Sequence, residues 1–94
     1  MYVRVVRFTG VSAERVEQLS ARIREADGPP PGVRTTGLKL LFDETQGTAV
    51  VLQEYSTAED MREAAKVFDA MDPSETPGTR ASVEECEVKL ELAA

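Results

Sequence analysis

Four side chains on two predicted strands carry groups that could bind a small molecule. Arg4 and Phe8 lie in a strand predicted over residues 2–8, and Gln53 and Tyr55 close a strand predicted to end at residue 55. Side chains alternate between the two faces of a strand, so each of these pairs shares one face of its strand. Small-molecule pockets combine an apolar wall with a few polar groups that orient the ligand. We therefore predict a pocket with these lining residues: Arg4, Phe8, Gln53 and Tyr55.

Arg4 and Tyr55 are the predicted polar anchors of this pocket. A guanidinium can hold an anionic or enolic oxygen in a fork of two hydrogen bonds, and a phenol can donate or accept one. The aliphatic residues Val50 and Leu52 occupy the opposite strand face, which we expect to pack on helices. In an alternative interpretation the mixed face is an interface between two copies, with Arg4 paired to a carboxylate of the partner.

The chain lacks the residue types that most catalytic and metal sites use. It has no His, no Trp, no Asn and a single Cys. General acid–base chemistry near neutral pH uses His before other side chains, and zinc, copper and haem sites recruit imidazoles or clustered thiolates. We therefore assign no catalytic residue, expect neither a metal nor a cofactor, and regard Tyr55 as the proton donor in any reaction.

The single cysteine, Cys86, lies in a predicted strand over residues 83–92. It shares a strand face with Val88 and Leu90, which predicts a buried and unreactive thiol. Carboxylates lie on both faces of this strand, a pattern that favours a solvent-exposed edge strand over a cation site.

Length and charge restrict the classes of partner. The chain has 94 residues and a formal net charge of −6, which disfavours a nucleic-acid surface because such surfaces use Lys and Arg to neutralise phosphates. No apolar run approaches the ~20 residues of a membrane-spanning helix. One cysteine excludes an intrachain disulfide and is typical of a reducing compartment. We expect one domain over residues 1–94, a cytoplasmic location, and neither nucleic acid nor membrane as a partner.

Residues 37–55 predict a β-hairpin around which the other elements are arranged. Two apolar runs, 38–42 and 49–52, flank a polar turn that ends in Gly47. Both runs carry apolar side chains at consecutive positions, so both faces of the hairpin need cover. The two helices can cover one face. We therefore expect an obligate homodimer in which a second subunit covers the other.

Two helices complete the predicted pattern. One begins after Ser12, and the other begins after Ser56 or Thr57 and stops at Asp72 and Pro73. The resulting order βαββαβ predicts an α+β fold. With right-handed crossovers, the first strand lies centrally beside the third in a ferredoxin-like, four-stranded antiparallel sheet, with both helices on one face.

At this point the chain resembles the dimeric α+β barrel proteins, the group that includes the antibiotic-biosynthesis-monooxygenase-like domains. The resemblance covers nearly the whole chain. It rests on the element order, on Pro31-Gly32-Val33 before the second strand, and on Glu54-Tyr55-Ser56-Thr57 before the second helix. It implies that two four-stranded sheets pack face to face across a two-fold axis and that each subunit encloses a pocket.

The same resemblance implies which residues would serve the pocket. Cofactor-free oxygenases of this group are associated with Asn, Trp and Arg near the pocket, and haem-degrading relatives with His, Asn and Trp. Of these residue types, only Arg can be matched here, for instance at Arg4. Ala64 stands about where many relatives carry a His.

Three functional classes follow from the sequence. The first is a small-molecule-binding barrel, with a cofactor-independent monooxygenase-like, isomerase-like or cyclase-like reaction as its candidate activity. The second is a non-catalytic dimeric ligand-binding or regulatory module. The third, an RNA-recognition-type sheet, is disfavoured by the charge and by the lack of paired aromatic residues on a central strand.

Overall fold

Four strands and two helices follow one another in the predicted order βαββαβ. The computed structural model describes residues 1–71 and 76–94. Its elements are β1 (Tyr2–Thr9), α1 (Ala13–Glu25), β2 (Gly37–Asp43), β3 (Thr48–Tyr55), α2 (Ala58–Asp69) and β4 (Thr79–Glu87). The predicted helix stop at Asp72 and Pro73 lies outside the described residues.

The four strands form one sheet in the order β2-β3-β1-β4, in which all neighbours are antiparallel. The first strand therefore lies beside the third in the centre of the sheet, which confirms the predicted ferredoxin-like α+β fold. In each β–α–β unit, the two strands that the helix connects are not neighbours in the sheet, because one antiparallel strand lies between them.

The predicted hairpin is present, and its turn depends on Gly47. The Gly47 N–H donates to the Asp43 carbonyl at 2.9 Å, and the Gln46 N–H donates to the Asp43 Oδ1 at 3.1 Å. Gly47 has a φ of 66°, in the left-handed region that residues with a side chain avoid. The turn thus closes without strain and sets the register of β2 on β3.

Both helices begin at predicted caps. The Ser12 hydroxyl accepts from the Arg15 N–H at 3.2 Å, and the Thr57 hydroxyl accepts from the Asp60 N–H at 3.0 Å. These bonds satisfy backbone donors that have no partner within the first turn of a helix. The helices differ in their packing, because α2 buries Met61 and Ala64 whereas no residue of α1 is fully buried.

The predicted assignment of the sheet faces is wrong. Arg4, Gln53 and Tyr55 are buried on the helix-covered face, where Tyr55 packs with Met61 and Ala64 of α2. The alternate residues Val50 and Leu52, expected to pack on helices, lie on the other face, which we call the open face. Period-two alternation shows which residues share a face but not which face the helices cover.

The prediction for Cys86 is also wrong, since its side chain is exposed. The register of β1 on β4 places Cys86 opposite Val3, on the open face. β4 ends at Glu87, five residues before the predicted end of the strand. Neither described helix is long and apolar enough to cross a membrane.

Candidate functional site

Three of the four predicted pocket residues meet in one buried hydrogen-bond network beneath α2. Arg4 and Gln53 are direct cross-strand partners in the register of β1 on β3. The Gln53 Oε1 accepts from the Arg4 Nη1 at 3.2 Å and from the Tyr55 hydroxyl at 3.0 Å. The carboxamide oxygen therefore uses both lone pairs, and it links the phenol to the guanidinium.

This network is almost completely withdrawn from solvent. The relative exposures are 2% for Arg4, 4% for Gln53 and 0% for Tyr55. Apolar side chains surround it, and the guanidinium carbon of Arg4 lies 5.7 Å from the centre of the Phe68 ring. A guanidinium over an aromatic face gains cation–π attraction, and this gain increases when water is excluded.

Sequence reasoning missed the outer end of the network, which consists of Asp69 and Arg80. The Asp69 Oδ1 accepts from the Arg4 Nη2 at 3.2 Å and from the Arg80 Nη1 at 2.8 Å. The Asp69 side chain is 54% exposed, so the network runs from a buried phenol to a carboxylate at the surface. The carboxylate partner of Arg4 thus comes from its own chain, at the last residue of α2. The only feature of the sequence that could have indicated this partner is Arg4 itself, because a buried guanidinium needs an anion nearby.

One donor of Arg4 is left over. Within residues 1–71 and 76–94, the buried Nε makes no hydrogen bond. A buried N–H without an acceptor costs about 1–3 kcal/mol, and more on a charged group. The charge of Arg4 is therefore only partly neutralised, because Asp69 is shared with Arg80. Its Nε is in addition a donor that a ligand oxygen could satisfy.

Burial favours the neutral form of Tyr55 and disfavours the charged form of Arg4. Burial raises the pKa of the Tyr55 phenol, and the Arg4 charge opposes this increase. Burial is also the main cause that lowers the pKa of Arg4, the Arg80 charge adds to it, and the Asp69 carboxylate acts in the opposite direction. The site consequently combines a cation that has one unused N–H with a neutral phenol whose proton is donated to Gln53, and an anionic or enolic oxygen could accept from the guanidinium.

The raised pKa of Tyr55 predicts a loss of stability in alkali. The unfolded chain loses the phenol proton at lower pH than the folded chain, so deprotonation favours unfolding. We expect the contribution of Tyr55 to be constant below about pH 10 and to fall as the pH rises towards the higher folded-state value. Urea unfolding across this range should give a steeper decline for the wild type than for Tyr55→Phe. An equal decline of the free energy of unfolding with pH in both proteins would contradict this prediction.

Phe8 does not take part in the network. It packs in a separate cluster with Val6, Val11 and Ala49, at the other end of β1. The four predicted residues therefore share the helix-covered face, but only Arg4, Gln53 and Tyr55 are brought together.

Two surface depressions lie away from these residues. One is lined by Met1, Val3, Glu54, Val88, Leu90 and Glu91. The other is lined by Gly32, Arg34, Glu59, Asp60 and Glu63. In the described part of the chain, no group of three or more His, Cys, Asp or Glu side chains is arranged to hold a metal ion.

Comparison with known proteins adds no assignment to this geometry. A scan against models of protein families found no match, and a search of the curated proteins found none.

Proposed function

We propose that this protein is a homodimeric small-molecule-binding protein in which Arg4 and Tyr55 hold an anionic or enolic oxygen of the ligand. The observation that carries this proposal is the buried Arg4 guanidinium, whose Nε has no hydrogen-bond partner in the described chain and which shares the Gln53 carboxamide oxygen with a neutral phenol. The βαββαβ order and the two-sided hairpin support a dimeric α+β barrel of the antibiotic-biosynthesis-monooxygenase-like kind.

The energetics of Arg4 favour an anionic ligand. A buried guanidinium needs a well-placed anion, and Asp69 is half-exposed and divided between two arginines. An aromatic carboxylate or enolate would supply the missing charge, and its ring would take the place of Phe68 on the guanidinium plane. Binding thus requires movement of the Phe68 side chain near the end of α2.

Chemistry at this site would depend on Tyr55. Its hydroxyl can protonate a developing oxyanion next to Arg4, but a raised pKa makes it a weak acid near neutral pH. A cofactor-independent monooxygenase-like, isomerase-like or cyclase-like reaction would therefore rely on binding and orientation, and its rate enhancement would be modest.

The open face supports the homodimer. It carries five half-buried or exposed aliphatic side chains on three adjacent strands: Val3, Val5, Leu41, Val50 and Leu52. Charges of both signs share this face with them, in the exposed Arg7–Glu84 pair and in Lys39, whose Nζ lies 3.9 Å from the Glu54 Oε1. An exposed group of apolar side chains accompanied by charges of both signs is typical of a protein interface. The occupant we propose is a second copy of this chain.

A non-catalytic dimeric module is the second candidate. It is favoured by the complete burial of Tyr55 and by the position of both surface depressions, neither of which is lined by a residue of the network. In this case the network serves only the stability of the core, and no ligand reaches Arg4.

Thermal unfolding with aromatic carboxylates separates the two candidates. We expect benzoate and salicylate, but not the neutral benzamide, to raise the Tm of the wild type. A ligand at 100 times its Kd adds about 2.7 kcal/mol to the free energy of unfolding. The increase should disappear in Arg4→Met, which keeps a long side chain without the charge.

Arg22→Met is the matched control, because Arg22 is an exposed arginine on α1, away from the network and from the open face. It should retain the full response. An equal Tm increase in Arg4→Met, or no increase in the wild type at millimolar carboxylate, would reject binding at this site.

A further inference from the structure

The residues that follow β4, 88–94, leave the sheet with their apolar side chains uncovered. We call them the exit segment. Tyr2 pairs with Glu87, and the Val88 N–H donates to the Met1 carbonyl at 3.0 Å, so β4 runs past the start of its neighbour β1. Beyond this bond the segment belongs to no helix or strand. Leu90 and Leu92 are 77% and 81% exposed, more than any other large hydrophobic residue of the described chain.

The exit segment has the alternation of a strand that is covered on one side. Its apolar residues Val88, Leu90 and Leu92 alternate with Lys89 and Glu91. In an extended chain the three apolar side chains point to one side and the two charges to the other. Val88 and Leu90 also line a depression together with Val3 of the open face. The apolar side of the segment thus continues the apolar patch of the open face.

The segment is complementary to itself when it runs antiparallel. In a pair centred on Leu90, Lys89 lies opposite the partner's Glu91, Glu91 lies opposite the partner's Lys89, and Val88 lies opposite the partner's Leu92. Both charge pairs are attractive, and all apolar side chains stay on one face. Opposite charges directly across an antiparallel pair stabilise it, and like charges destabilise it.

Other registers lose this complementarity. A pair centred one residue earlier places Lys89 against itself, and one centred one residue later places Glu91 against itself. A shift of two residues towards β4 keeps one attractive pair, Lys89 with the partner's Glu87, but places Glu91 against the partner's Glu85. If the two-fold axis passes between two residues instead of through one, charged and apolar side chains lie opposite each other on one face.

We propose that the exit segments of two copies of this chain pair antiparallel across a two-fold axis at Leu90. This proposal deepens the homodimer described above and rests on it. Such a contact is isologous, which means that the same surface patch of both subunits takes part in it, and isologous dimers are the commonest soluble oligomers. No ladder bond in the described chain holds the segment in the sheet plane after Val88, so the pair is compatible with a second copy on the open face. In the single chain Lys89 is bonded to Glu87, but an exposed pair of this kind contributes little.

Charge reversal tests the pairing. Lys89→Glu turns both attractive pairs into Glu–Glu pairs, and Glu91→Lys turns both into Lys–Lys pairs. We expect each single variant to raise the Kd of the dimer on the order of tenfold. The double variant Lys89→Glu/Glu91→Lys restores opposite charges and should return the Kd to within about threefold of the wild type. Sedimentation over a dilution series measures these constants, and circular dichroism shows that each variant is folded.

Lys66→Glu is the control, because Lys66 is an exposed lysine on α2; it should leave the Kd unchanged. If neither single charge reversal changes the Kd of the dimer, the pairing of the exit segments is rejected but the homodimer is not. Single and double variants that are equally weakened would also reject it. A wild-type chain that stays monomeric at all concentrations would overturn both the pairing and the homodimer.

Discussion

Replacing Tyr55 by alanine is expected to lower the free energy of unfolding by about 3–5 kcal/mol, the range found when large buried aromatic residues are truncated. Tyr55 is fully buried and packs against Val33, Met61 and Ala64. The variant therefore loses apolar burial, leaves a cavity beneath α2, and removes one donor to Gln53. Domains of this size have a total stability of about 5–14 kcal/mol, so the variant should be close to unfolding at room temperature.

Tyr55→Phe is the matched comparison. It keeps the ring and removes only the hydroxyl, while Gln53 still accepts from Arg4. We expect a loss of about 1 kcal/mol in the free energy of unfolding. Urea unfolding monitored by circular dichroism measures both values. If the two substitutions cost the same, the hydroxyl and not the ring would be the main contribution, and the packing account of this site would be wrong.

Leu52→Lys should convert the proposed homodimer into a folded monomer. Leu52 lies opposite Val5 on the two central strands, with its side chain on the open face. In a two-fold interface the substitution introduces two charges into the apolar patch, and each uncompensated buried charge costs several kcal/mol. We expect the dimer Kd to rise by at least about a thousandfold. Size-exclusion chromatography with light scattering gives the mass directly.

Ile23→Lys is the control for this experiment. Ile23 is an exposed apolar residue on α1, outside the open face. This variant should keep the wild-type dimer mass, whereas Leu52→Lys should have the monomer mass and an unchanged circular dichroism spectrum. A dimer that persists in folded Leu52→Lys would show that the open face is not the interface.

Cys86 provides an independent reporter of the proposed interface. It is the one cysteine of the chain, it is exposed, and its partner across the ladder is Val3 of the open face. In the dimer that we propose, a second copy lies over this face and near the exit segment. The homodimer would therefore slow the reaction of this thiol.

The element order and the hairpin could be predicted from local signals alone. Gly47 marks the turn, Ser12 and Thr57 mark the helix starts, and the apolar runs define the strands. These features depend on residues a few positions apart. Handedness and chain connectivity then suffice to place β1 in the centre of the sheet.

Only the tertiary structure decided which sheet face the helices cover. Arg4 and Gln53 are polar, and a sequence pattern favours water or a pocket for them. Their burial depends on partners that are distant in sequence: Arg4 bonds to Gln53, 49 positions away, and to Asp69, 65 positions away. Alternation along a strand is symmetric between its two faces. The choice of face therefore depends on these long-range contacts, which no local pattern contains.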